Sequence, residues 1–186
     1  MGHIVLVYSA GKLFLTGATW GKKMKNEIAV LDELMLVGIT ARTNNANEMD
    51  SGLCKIPGVV SSYWEHNMAD QIHHAIRSGI TYAVYTEFDG DENGDYTFFY
   101  GEEVASFEGQ NESAFRTLSM ASGRYQKFTS DRGPLPDIVI SSWQKIWKMK
   151  AGDFAGDRTY LADFEVYDKR AADPSNAIID IYIGIR

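Results

Sequence analysis

From Leu34 onward, apolar positions are spaced in two distinct ways. Leu34 to Thr43 is a run of branched and apolar residues (Leu36, Val37, Ile39, Thr40), the composition of a buried strand. Asn44 to Lys55 is polar and turn-forming, and Pro57 stands where a helix can begin. Val59, Val60, Tyr63, Trp64 and Met68 then keep helical spacing, with further turns possible through Ile76 before Gly79 ends the run. Tyr82, Val84, Tyr85 and Phe88 predict a strand, Gly90 to Gly94 a turn, and Tyr96 to Val104 the returning strand.

The same succession then recurs. Arg124 to Thr129 reads as a strand, Pro134 and Pro136 open a helix to about Met149, and Tyr160 to Tyr167 and Ile178 to Ile185 read as strands. At an offset of 79, Pro57, Val60, Ser62 and Trp64 fall on Pro136, Val139, Ser141 and Trp143, while Ala83, Tyr85 and Asp89 fall on Ala162, Phe164 and Asp168. One offset shared by a helix and the strand after it predicts a tandem duplication of a strand-helix-strand-strand unit. Neither copy has enough apolar surface to stand alone. The expected architecture is therefore α+β: two half-modules, about 34–106 and 114–186, form one antiparallel sheet with two main helices and a central ligand cleft. Residues 1–33 are set apart as a leader or hairpin, and Gly21-Lys22-Lys23 ahead of Met24 suggests that Met24 is the natural start.

Composition narrows the function classes. The chain has 186 residues, 18 Lys plus Arg against 25 Asp plus Glu, and a net charge of -7, which opposes a role gripping phosphate backbones. Its single cysteine, Cys54, makes neither an internal disulfide nor a thiolate cluster, so the cytoplasm is the expected location. No run approaches the roughly 18 apolar residues of a spanning helix, and no membrane partner is expected.

Several motifs fail on inspection. Asp89, Asp91, Asn93 and Gly94 copy the start of a calcium loop, but the twelfth position is Tyr100 instead of a bidentate Glu and the flanks read as strands. An acidic hairpin tip is expected there. His66, His73 and His74 match no common zinc spacing, Ser9 to Lys12 lacks the residues of a phosphate loop, and no hydrolase elbow occurs. No metal and no cofactor are expected.

What remains is aromatic, with one carboxylate among the rings. Trp143 and Trp147 are four residues apart on the second helix and share a face, and Trp64 is the counterpart of Trp143. Strand alternation puts Asp163, Glu165 and Tyr167 on one face and Phe164 and Val166 on the other. If that face meets water, Glu165 is an ordinary surface acid. If it lines the cleft, Glu165 beside aromatic rings suits a flat organic cation.

The segments Phe164-Glu165-Val166-Tyr167-Asp168, Ile181-Tyr182-Ile183, Gly123-Arg124-Tyr125, Trp143-Gln144-Lys145-Ile146-Trp147 and Tyr100-Gly101-Glu102-Glu103-Val104 together resemble the GyrI-like small-molecule-binding family. This is also the effector-binding domain of AraC-type and multidrug-responsive bacterial activators. The resemblance runs from about Leu34 to Arg186 and implies a duplicated fold with a cleft glutamate that receives cationic ligands. That residue corresponds to Glu165, whose duplicate at offset 79 is Thr86. Tyr63, Trp64, Tyr85, Tyr96, Trp143 and Tyr182 are the candidate aromatic lining, with Trp147 beside them. No helix-turn-helix precedes the domain, so DNA binding does not carry over. The implied function is a stand-alone protein that captures amphipathic, cationic aromatic compounds, for sequestration, drug tolerance or sensing. Two alternatives stand beside it: hydrolysis of cyclopropane-containing toxins, with Glu165 positioning water, or inhibition of a cellular enzyme such as a topoisomerase.

Overall fold

The computed structural model describes residues 24–186, so the expectations for the stretch before Met24 lie outside the described residues. The fold is α+β. Its strands are β1 (Lys25–Leu31), β2 (Leu34–Thr43), β3 (Thr81–Thr86), β4 (Tyr96–Glu103), β5 (Arg116–Met120), β6 (Gly123–Thr129), β7 (Arg158–Tyr167) and β8 (Asp180–Ile185). They form one sheet in the order β1-β6-β8-β7-β3-β4-β2-β5, antiparallel throughout. Three α-helices among the described residues accompany it: α1 (Asn45–Glu48), α2 (Ile56–Glu65) and α3 (Asp137–Trp147). No helix among the described residues is long and apolar enough to cross a membrane.

Two edge strands appear that the hydrophobic pattern did not predict. β1, inside the stretch set apart as a leader, and β5 are mostly exposed, so neither carries the buried alternation that marks a strand. Both nevertheless follow one register: Lys25 pairs with Thr129, Leu31 with Gly123, Leu34 with Met120 and Gly38 with Arg116. β1 and β2 are thus one bent strand, running antiparallel to the bent strand β5-β6. Only Asp32 and Glu33 separate β1 from β2, a link of at most about 10 Å, whereas six strand steps in a flat sheet cover roughly 29 Å. The sheet therefore rolls until its ends meet. Leu36, Tyr82, Val84, Phe99, Tyr125 and Phe164 fill the inside of the roll, and α2 and α3 cover the other face.

The duplication is visible in the strand order, which reads symmetrically outward from the central β7–β3 pair. The helices keep the offset of 79: Val60 and Tyr63 are buried in α2 as Val139 and Ser142 are in α3. The strands do not. Val84 pairs with Phe164, so these two share a face, and a two-fold axis normal to the sheet relates Tyr85 to Glu165, 80 residues on. The same axis relates Gly101 to Gly184 in the neighbouring strands. At both glycines a Cβ would collide with neighbouring atoms, 2.1 Å from Val37 O at Gly101 and 2.6 Å from Thr159 Oγ1 at Gly184. Thr86 is accordingly not the counterpart of Glu165. It lies on the opposite face, paired with Ala162, and its hydroxyl donates to Leu161 O at 2.8 Å.

Candidate functional site

Glu165 sits on β7 beside the central strand pair, on the face covered by the helices, and only 2% of it is exposed. The α2 and α3 clusters both pack against Tyr85 and Tyr167, so these two rings mark the seam between the halves. Three donors converge on the carboxylate: Tyr85 Oη at 2.8 Å and Trp143 Nε1 at 2.6 Å on Oε1, and Tyr167 Oη at 2.5 Å on Oε2. Tyr85 comes from one half, and Trp143 and Tyr167 from the other. Desolvation raises the Glu165 pKa above the ordinary carboxylate value, and the three hydrogen bonds pull against it.

Charge separates Glu165 from its neighbour on β7. Asp163, the next carboxylate on this face, accepts from Gly184 N at 2.9 Å and forms a buried ion pair with Arg158, whose guanidinium also lies 4.3 Å from the Tyr160 ring centre. Its charge is already met. Among the described residues Glu165 forms no ion pair; its partners are neutral donors.

The predicted aromatic residues fall into four positions. Tyr85 and Trp143 touch Glu165 and pack edge to face, 5.1 Å between ring centres. Tyr96 lies one ring further out, 5.5 Å from Tyr85, and Trp147 flanks Trp143 at 6.2 Å with 41% of its surface exposed. Tyr63 and Trp64 approach through Tyr100: Tyr63 packs on it at 5.1 Å and Trp64 Nε1 donates to its hydroxyl at 3.3 Å. Tyr182 does not belong to the group. It pairs with Phe164 across β7–β8 and stacks on that ring at 4.6 Å, on the inside of the roll, because one residue along a strand reverses the face.

Two tyrosines at the seam are absent from the predicted lining. Tyr167 was already placed on the face of Glu165 by alternation, and that was the available signal. Tyr100 required the pairing Glu165–Ala83–Tyr100 across β7, β3 and β4, which no local pattern encodes. A recess of about 330 Å³ lies elsewhere, lined by Ile39, Glu112, Phe115 and Arg116, three strand steps from Glu165. In the acidic hairpin, Asp91 accepts from Asn93 N at 2.9 Å and Asp89 pairs with Arg42 at 2.7 Å.

Known proteins resemble this chain over most of its length. Residues 27–185 match the family Cass2, integron-associated effector binding protein. The YobU protein of Bacillus subtilis (strain 168) is 30% identical over 161 residues, covering 87% of this chain and 98% of YobU. The integron cassette protein VCH_CASS2 from the mobile metagenome of Vibrio cholerae superposes with a TM-score of 0.70 at 25% identity, covering 87% of this chain and 95% of its own. SAV2435, solved bound to tetraphenylphosphonium, shares the fold with a TM-score of 0.66 at 17% identity, covering 88% of this chain and 94% of its own.

Proposed function

Because the chain belongs to the Cass2 family of integron-associated effector-binding proteins, and so binds a small molecule, we propose that its ligand is an amphipathic aromatic cation received at Glu165. The observation that carries this reading is a buried carboxylate with three neutral donors and no cationic partner among the described residues. A buried charge without a counter-charge is costly, and an incoming organic cation offsets that cost by ion pairing and by cation–π contact with Tyr85, Tyr167 and Trp143. Asp163 does not compete, since Arg158 already neutralises it. The tetraphenylphosphonium held by SAV2435 has this chemistry, being aromatic, lipophilic and positively charged.

Entry requires movement, because Glu165 is enclosed. The half-buried Tyr85 and Tyr167 hydroxyls swing off the carboxylate, and the cation takes the place of their donors. The exposed Trp147 ring beside Trp143 gives the ligand its first apolar surface. Such a module serves sequestration or sensing in the cytoplasm.

Titration of methyltriphenylphosphonium against wild type and Glu165→Gln, followed by tryptophan quenching, tests the reading. The substitution keeps shape and removes charge, and weakens binding by about 1.5 to 3 kcal/mol, the range for a hydrogen bond to a charged group. Neutral triphenylphosphine oxide binds both proteins alike. Equal phosphonium affinity for the two proteins refutes the role of Glu165.

A further inference from the structure

A second buried acid lies along the same seam and has no part in the site described so far. Glu102 on β4 is 4% exposed, and among the described residues the one hydrogen bond it accepts is a long one, from Tyr63 Oη to Oε1 at 3.4 Å. Among the described residues its other oxygen accepts no hydrogen bond, and it is not sealed off from solvent. No basic side chain among the described residues pairs with it, and Asp70 is the neighbouring charge that acts on it. An acid left so poorly partnered is costly in a core, and packing alone gives no reason for it.

The register places it. Glu165 pairs with Ala83 and Ala83 with Tyr100, while Tyr167 pairs with Thr81 and Thr81 with Glu102. Glu102 is therefore on the face of Glu165, two strands across and two residues along, which sets their Cα atoms roughly 12 Å apart. Aromatic rings fill the interval: Tyr167 donates to Glu165, Tyr100 lies 6.3 Å from Tyr167 and 5.1 Å from Tyr63, and Tyr63 donates to Glu102. Two carboxylates thus terminate one continuous row of tyrosines.

We propose that Glu102 is a second anionic anchor, so that the seam takes elongated ligands with a cationic group at each end and an apolar or aromatic middle. The proposal rests on Glu165 as the first anchor. One end exchanges Tyr85 and Tyr167 for the Glu165 ion pair, the middle lies along Tyr100, and the far end meets the open oxygen of Glu102. Monocations use Glu165 alone. The duplication offers no equivalent pair, because the two-fold relates Glu165 to Tyr85 and Glu102 to Ile185. The dication accordingly lies obliquely across the seam, in one orientation set by the halves' differences.

The test compares an octane chain bearing a pyridinium at each end with N-octylpyridinium, by calorimetry at about pH 8, using wild type, Glu102→Gln and Glu165→Gln. Wild type is expected to bind the two-headed compound at least about tenfold more tightly, the equivalent of about 1.4 kcal/mol. Glu102→Gln erases that preference and leaves N-octylpyridinium within about twofold, whereas Glu165→Gln weakens both compounds. Equal binding of the two-headed compound by wild type and a folded Glu102→Gln overturns the proposal while leaving Glu165 intact. No effect of Glu165→Gln on either compound overturns the underlying reading instead. A linker series on wild type needs no variant: affinity peaks at the length that spans the two acids, and a steady rise with each added methylene overturns the second anchor.

Discussion

Glu102 also makes a prediction about stability that needs no ligand. Burial raises its pKa to about 7, with Asp70 adding to the shift and the Tyr63 hydroxyl opposing it. The native state therefore prefers the protonated acid. In the unfolded chain the same group ionises near the ordinary value of about 4.3. The stability it contributes is complete below that value, is lost as pH rises toward 7, and stays lost above it. Each unit of difference is worth about 1.36 kcal/mol, so the full loss is at most about 3.7 kcal/mol and nearer to about 3 kcal/mol because one oxygen reaches solvent. Glu102→Gln keeps the side chain's shape and cannot ionise. Urea unfolding followed by tryptophan fluorescence should show the variant and wild type within about 1 kcal/mol near pH 5. Near pH 8 the variant should be the more stable by roughly 2 to 3 kcal/mol. The comparison between variant and wild type removes the background of other carboxylates. A difference between the two proteins that stays constant from pH 5 to pH 8 means that Glu102 ionises in the fold as freely as in water, and refutes the reasoning.

Two further outcomes follow from the face assignments. Tyr182→Leu should leave methyltriphenylphosphonium affinity unchanged while costing about 1 to 2 kcal/mol of stability through the lost stack on Phe164, measured by titration and urea unfolding on one preparation. Phosphonium affinity should rise with pH through a midpoint above the ordinary Glu value, because desolvation holds Glu165 protonated longer than a surface acid; a calorimetric series that is flat between about pH 4.5 and 7.5 contradicts this.

The sequence shows most clearly what is local. Helical spacing and paired prolines reveal α2 and α3, and strand alternation puts Asp163, Glu165 and Tyr167 on one face, all from neighbours in the chain. Tyr182 entered with the aromatic lining and lies on the other face of β8, stacked on Phe164, whereas the error at Thr86 comes from the repeat offset. An insertion between helix and strand moves the offset from 79 to 80, which is harmless on a helix, where the buried stripe is broad, but reverses the side on a strand of period two. Matching chemical type across the repeat, aromatic against aromatic at Tyr85 and Phe164, therefore misled; the structure relates Tyr85 to Glu165 instead.

That correction changes what the duplication means for binding. Matching Glu165 with a threonine on the far face would leave the second half without a polar group at the symmetric position. With Tyr85 in that position, both halves aim a polar side chain at the same point, and one became the acid while the other became its donor. A symmetric pair of glutamates would place two like charges side by side in a dry seam, which only a shared proton or a doubly charged ligand group could relieve. A symmetric pair of tyrosines would offer no charge to a cation. The asymmetric pair avoids both problems. In the empty state the Tyr85 hydroxyl supports the buried carboxylate, and on binding it need only rotate aside, since the cation provides the stronger partner. Tyr85 is then the element that holds the site ready, and its loss should penalise the empty state more than the filled one.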